Sequence, residues 1–87
     1  MKVTGKLVKG TNIINEVTAE EGDPAISMTE RLEHCLLQIC KEMDIQVPLW
    51  LEKNTREFVR FRRTFFFQEQ FTEKVHFDRF EIRQIGS

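Results

Sequence analysis

Ser27 to Met43, with the sequence SMTERLEHCLLQICKEM, is the stretch that decides the fold of this 87-residue chain. Its apolar residues recur at helical spacing within about 100° of arc, the width of a core-facing stripe. They are Met28, Leu32, Cys35, Leu36, Ile39 and Met43. Ser27 and Glu30 form a capping-box pattern, in which each side chain can accept from the backbone N–H of the other residue. The stretch therefore predicts an amphipathic helix from about Ser27 to Met43.

The segment before this helix is rich in β-forming residues and predicts a hairpin. Residues 2–9 and 13–18 are the two β-rich runs, and the intervening Lys9-Gly10-Thr11-Asn12 is a turn signal. The residues expected to face the core are Val3, Leu7, Ile13 and Val17. Val8 and Ile14 have the opposite parity, which leaves the strand register open.

After the helix, Pro48 predicts a break, because the residue before a proline disfavours the α conformation. A second helix is expected from near Pro48 or Trp50 to about Arg62. Its inward face is predicted to consist of Leu51, Asn54, Phe58 and Phe61.

The last third of the chain predicts strands. Thr64 to Phe67 has strand composition, whereas residues 68–74 fit a loop or one helical turn. Residues 77–85 predict a final strand, with Phe80 and Ile82 on one face. The opposite face would hold Arg79, Glu81 and Arg83.

These elements predict an α+β fold in the order β-β-α-α-β, with a possible extra strand at the three consecutive phenylalanines. A small antiparallel sheet with both helices packed on one face buries the most apolar surface for that order. We expect a single domain over residues 1–87, because a chain of this length supports one hydrophobic core. The 40% apolar and 31% charged residues are typical of a globular domain.

Charge and cysteine content indicate a cytoplasmic protein. The net charge is −1, which gives no global attraction to nucleic acid or to an anionic membrane. No apolar run approaches the ~18 residues that span a bilayer, and the N-terminus lacks a signal-peptide apolar stretch. Cys35 and Cys40 point about 140° apart on a helix, so they cannot form a disulfide with each other. Two buried thiols fit a reducing compartment.

The sequence contains no recognisable catalytic or metal-binding motif. His34 and His76 lack partners at metal-ligand spacing, so we expect no metal. Cys35 belongs to the apolar stripe and has no basic partner to activate it as a nucleophile. The four glycines are scattered and form no phosphate-binding loop. We therefore expect neither a cofactor nor an enzyme.

A stripe of basic residues on the second helix is the one candidate binding feature. Its members fall within about 80° of arc, with one further arginine nearby; the set is Lys53, Arg56, Arg60 and Arg63, with Arg62. Adjacent residues of a strand face opposite sides, so either helices or a second subunit cover both faces of the triple phenylalanine, or one ring is exposed. Phe66 is included as the exposed ring, because interface cores are enriched in arginine and aromatic residues. The alternative is an ordinary solvated helix face.

Three segments resemble an uncharacterised family of short bacterial proteins, many of them carried on mobile elements. The segments are Met1 to Gly10, Pro48 to Leu51 and His76 to Ile85. The resemblance transfers no catalytic or binding residue. Small proteins of mobile elements are often inhibitors of host defence, and anti-CRISPR proteins are one example. The resemblance therefore implies an inhibitor role, by analogy with other proteins of mobile elements.

The function expected from the sequence is binding without catalysis. The chain would be a cytoplasmic adaptor or inhibitor of a larger protein or nucleoprotein. The alternative is a nucleic-acid-binding accessory protein that uses the same basic stripe, because arginine suits phosphate contacts and exposed rings can stack on bases. No membrane partner is expected, and the sequence does not predict the oligomeric state.

Overall fold

A computed structural model describes residues 1–86 of the chain. The elements are β1 (Lys2–Lys9), β2 (Asn12–Glu20), α1 (Met28–Met43), α2 (Glu52–Phe61), β3 (Arg63–Phe67), a 3₁₀ turn (Gln68–Gln70) and β4 (Arg79–Gly86). The strands form one antiparallel sheet in the order β2-β1-β4-β3. The predicted α+β class is confirmed, and the triple phenylalanine forms the extra strand.

Helix α1 begins and ends as the sequence predicts. The Ser27 hydroxyl accepts from the backbone N–H of Glu30 at 3.2 Å and caps the first turn. Asp44 ends the helix in the left-handed conformation, with φ of 55°. The residues that α1 buries are Cys35, Leu36, Ile39, Cys40 and Met43. The expectation for Met28 is wrong, because this first-turn side chain lines an open groove together with residues of α2 and is 57% exposed.

Helix α1 lies close against the middle of β1 because Gly5 has no side chain. A Cβ atom placed on Gly5 would lie 2.5 Å from Cγ2 of Ile39, well inside van der Waals contact. Val3 and Leu7 flank the glycine on the same face of β1, and both are buried. The glycine therefore sets how closely the helix approaches the sheet.

The hairpin buries Val3 and Leu7 and half-buries Val17, but Ile13 is 54% exposed, contrary to the sequence-based expectation. The cause is a bulge in β2: Leu7 pairs with Asn15, whereas Val8 pairs with Ile13. The extra residue reverses the side-chain parity of β2 near the turn. Ile13 is therefore carried away from the core face.

Helix α2 packs on β3 through the fully buried Asn54. Its side-chain nitrogen donates to the Thr64 hydroxyl at 2.8 Å and to the Phe65 carbonyl at 2.9 Å. Its side-chain oxygen accepts from the backbone N–H of Leu51 and from the Gln70 amide, each at 2.9 Å. All four hydrogen-bonding positions of this amide are thus satisfied inside the protein.

Only part of the predicted inward face of α2 is buried. Asn54 and Phe58 are buried, whereas Leu51 is 40% and Phe61 56% exposed. Both exposed residues lie at the helix ends, because Leu51 is the N-cap and Arg62 ends the helix in the left-handed conformation. The helical periodicity of the sequence predicts the direction of a side chain only within the helix, and it does not show where the helix begins or ends.

An ion pair joins the loop after β2 to α1. Nδ1 of His34 lies 2.6 Å from a carboxylate oxygen of Glu21. This hydrogen bond raises the pKa of His34 above its usual value and lowers the pKa of Glu21. Both side chains are reachable by solvent, so water screens the pair.

Replacing Asn54 by alanine is expected to lower the free energy of unfolding by about 3 kcal/mol, because several buried groups lose their partners at once. Asn54→Asp keeps the two acceptor contacts and loses both donor contacts. Comparing its stability with that of Asn54→Ala therefore distinguishes the contribution of the donor contacts from that of the acceptor contacts. Gln38→Ala, which removes an exposed amide of α1, is the control and should change stability by less than about 0.5 kcal/mol. Equal effects of Asn54→Ala and Gln38→Ala in denaturant titrations would contradict this account.

The His34–Glu21 pair is expected to contribute to stability only in a defined pH range. The raised pKa of His34 means that its contribution is complete below the unfolded-state pKa and disappears as the pH rises through the folded-state pKa. The lowered pKa of Glu21 gives a second loss as the pH falls through its folded-state pKa.

An NMR titration of the His34 ring should show its pKa falling toward about 6.5 in Glu21→Gln. Glu33→Gln changes the same charge without breaking the hydrogen bond, so it should give a smaller decrease. An unchanged pKa of His34 in Glu21→Gln would rule out the pair in solution.

Candidate functional site

The face of the sheet opposite the helices carries the candidate site. Strand pairing places Arg63 opposite Arg83, Phe65 opposite Glu81 and Phe67 opposite Arg79. The alternate residues Thr64, Phe66, Phe80 and Ile82 point toward the helices and are buried. Within residues 1–86, both helices lie on the side of these buried residues, and Lys53 at the start of α2 reaches over to the Phe67 ring of the first set. We call the side of the first set the open face.

A row of rings and cations runs along β3 on the open face. The rings of Phe65 and Phe67 lie 6.4 Å apart between centroids, at an interplanar angle of 30°. The Arg63 guanidinium lies 5.5 Å from the Phe65 ring centre, and the Lys53 ammonium lies 4.7 Å from that of Phe67. These distances are typical of cation–π contacts. We call Arg63, Phe65, Phe67 and Lys53 the cation–aromatic strip.

The arginines beside this strip are not neutralised by internal carboxylates. The ion pairs within residues 1–86 are Glu21–His34 and Glu52–Arg56, and neither lies on the open face. Arg63 and Arg83 are directly opposed across two strands, and like charges in that position are destabilising. The one carboxylate between the arginines is Glu81, opposite Phe65. The open face therefore keeps an excess of positive charge at a cost to stability.

The structure divides the predicted basic stripe among three places. Lys53 and Arg63 belong to the cation–aromatic strip, and Arg63 lies on β3 rather than on α2. Arg56 and Arg60 lie on the outer side of α2, where Arg56 pairs with Glu52 at 3.3 Å. Arg62 ends α2 and donates to the Val59 carbonyl at 3.3 Å.

Phe66 cannot contact a partner, contrary to the sequence-based expectation. It is fully buried and packs against Trp50 and Phe80, with ring centroids 5.6 Å away in each case. Strand β3 begins at Arg63, and its pairing with β4 sends Phe66 inward and the two neighbouring rings outward. The outward-facing aromatic residues that the sequence analysis missed are thus Phe65, which is half-buried, and Phe67, which is exposed. Side-chain alternation along β3 could have identified these two residues only if it had been known that Thr64 and Phe66 face the core.

An apolar groove separates α1 from α2 on the other side of the molecule. It has a volume of about 320 Å³, with Leu36, Trp50 and Phe58 among the residues that line it. Glu33 and Arg62 also line it, one on each helix side. The groove offers no cluster of titratable groups.

The thiols are unsuited to nucleophilic chemistry. Cys35 and Cys40 are both about 1% exposed. Burial raises the pKa of the Cys35 thiol, and it raises the pKa of Cys40 to about 12. A nucleophilic cysteine needs the opposite shift.

Residues 1–86 contain no group of three or more histidine, cysteine, aspartate or glutamate side chains placed to hold a metal ion. Neither α1 nor α2 combines the length and the apolar composition needed to cross a membrane.

Comparison with known proteins gives no family assignment. No protein-family model matches the chain, and no curated protein or solved structure is significantly similar to it.

The thiol of Cys40 is expected to react with a disulfide reagent roughly fiftyfold more slowly in the folded protein than in denaturing guanidinium chloride at pH 8, since the greater nucleophilicity of a more basic thiolate offsets part of the lost thiolate fraction. The reason is that a pKa of about 12 leaves far less thiolate than the pKa of about 9 of a free thiol. Stopped-flow absorbance with Ellman's reagent measures both rates, and Cys35→Ala isolates Cys40. Rapid labelling of the folded variant would show that Cys40 is accessible and ionised.

Proposed function

We propose that this chain is a non-enzymatic binding protein that recognises a larger, anionic partner through its open face. The observation that carries the proposal is the opposed pair Arg63 and Arg83, which no carboxylate of residues 1–86 neutralises by an ion pair. Such a pair lowers stability in the free protein. An anionic partner would turn that cost into a favourable contact.

The composition of the open face supports the proposal. Arginine and phenylalanine side chains lie side by side there, and interface cores are enriched in both types. Arg79 and Arg83 extend the positive surface from β3 onto the neighbouring strand β4. A guanidinium group can hold a carboxylate or a phosphate with two parallel hydrogen bonds.

The outer side of α2 is the rival surface from the sequence analysis. Arg56 and Arg60 are exposed there, but Arg56 already has a carboxylate partner one helical turn away. Because water screens exposed ion pairs of this kind, Arg56 remains free to exchange partners. The two surfaces therefore need separate variants.

The proposal includes a role as an adaptor or inhibitor of the partner, as anti-CRISPR proteins are inhibitors of host defence. It also includes a cytoplasmic location. Both rest on the resemblance to short proteins of mobile elements. An inhibitor needs a contact surface and no catalytic groups of its own. The buried, weakly acidic thiols fit that requirement.

We expect Arg79→Thr/Arg83→Thr to reduce partner recovery at least tenfold, because each lost charge-assisted contact weakens binding by roughly 1.5–3 kcal/mol. The measurement is affinity capture on the immobilised protein, with each captured component quantified by mass spectrometry. The free energy of unfolding should stay the same or rise by a few tenths of a kcal/mol, since the opposed like charges are relieved.

The matched control is Arg56→Gln/Arg60→Gln, which removes two exposed arginines from α2 and makes the same change in net charge. It should leave recovery within about twofold of wild type. Loss of recovery in the control alone would transfer the contact to α2. Unchanged recovery in both variants would remove the basis for the proposed function.

A further inference from the structure

We propose that the partner of the open face is single-stranded nucleic acid, whose bases stack on Phe65 and Phe67 while the neighbouring arginines contact its phosphates. This inference rests on the proposed function and names the class of partner. The two ring planes are only 30° apart, so they can present their faces in similar directions. Every base has a flat aromatic face, so stacking of this kind tolerates any sequence.

The arrangement of cations fits a strand that runs along β3. Arg63 lies at one end of the cation–aromatic strip and Lys53 at the other, and each cation lies over one face of a ring. A base therefore stacks either on the other face of that ring or in place of the cation. Arg83 and Arg79 lie opposite Arg63 and Phe67 on β4. Positive charge therefore borders the two rings at both ends and along one side, as a phosphate backbone beside stacked bases requires.

Glu81 distinguishes this surface from a simple polyanion site. It lies opposite Phe65, in the middle of the positive surface. A carboxylate there repels phosphate, but it can accept a hydrogen bond from the exocyclic amino group of a base. The centre of the face is thus suited to bases and its margin to phosphates.

A double helix would not fit the same contacts. Its bases are stacked on each other and expose only their edges in the grooves, so the two rings could not reach a base face. An acidic protein could satisfy the arginines, but it would not require two rings that lie with their planes 30° apart. The observations therefore favour an unpaired strand over both.

The test is fluorescence anisotropy with labelled single strands of deoxycytidylate and cytidylate of roughly 12 nucleotides, within the range of known single-strand site sizes, because cytosine carries the exocyclic amino group that Glu81 would accept from. A duplex of the same length is the comparison. We expect measurable binding of the single strands at about 50 mM salt and weaker binding of the duplex. With three phosphate contacts, affinity should fall roughly twentyfold between about 50 and 200 mM salt.

The ring variants separate stacking from charge. Phe65→Leu and Phe67→Leu should each weaken single-strand binding by about 5- to 100-fold, whereas Phe65→Tyr, which keeps the ring, should bind like wild type. Phe61→Leu is the matched control, because Phe61 is also exposed and lies 5.3 Å from the Arg60 guanidinium, but on α2. Thermal unfolding verifies that each variant folds. If Phe65→Leu does not fold, Phe67→Leu and Phe65→Tyr still decide the outcome.

Three results would overturn the inference. They are absence of single-strand binding at low salt, equal affinity for the duplex, and affinity that is insensitive to loss of the rings. If capture identifies an acidic protein whose recovery depends on Arg79 and Arg83, while oligonucleotides do not bind, the proposed function stands and this inference fails. If neither partner capture nor oligonucleotide binding depends on Arg79 and Arg83, the proposed function and this inference both fail.

Discussion

The buried side chain of Asn54 is the contact on which the functional surface depends. It bonds at once to Thr64 and the Phe65 carbonyl on β3, to the Gln70 amide and to the backbone of Leu51. Since these partners lie on β3, on the 3₁₀ turn and at the N-cap of α2, the helix cannot slide along β3 without leaving several buried polar groups unpaired. This fixes Thr64 toward the core and therefore fixes the side-chain parity of the whole strand.

The position of the open face follows from that parity together with the close packing of α1. Gly5 lets α1 lie directly on β1, and Asn54 holds α2 on β3, so the two helices occupy one face of the sheet. Phe66 is then taken into the core, and its neighbours Phe65 and Phe67 are turned outward. Three identical residues in sequence thus acquire opposite roles through strand geometry alone.

The parts of the fold that the sequence predicts are those with a complete local pattern. The apolar period and the Ser27 cap define α1, and alternation defines β4 with Phe80 and Ile82 inward. Ile13 escapes prediction because a bulge adds one residue without any signal in composition. The position of Arg63 on β3 was not predicted, because the helical pattern of the sequence continues past Phe61, where α2 ends.

The electrostatics explain why the site could be located only in three dimensions. The net charge of −1 gives no indication of the positive open face, since most of the acidic residues lie elsewhere in the chain. Screening limits such local fields to about 8–10 Å at physiological salt, so the face attracts an anion only at short range. Long-range steering contributes little, and most of the affinity must arise from direct contacts. A surface that pairs guanidinium groups with ring faces supplies such contacts, and for this reason the rings decide the identity of the partner more than the charges do.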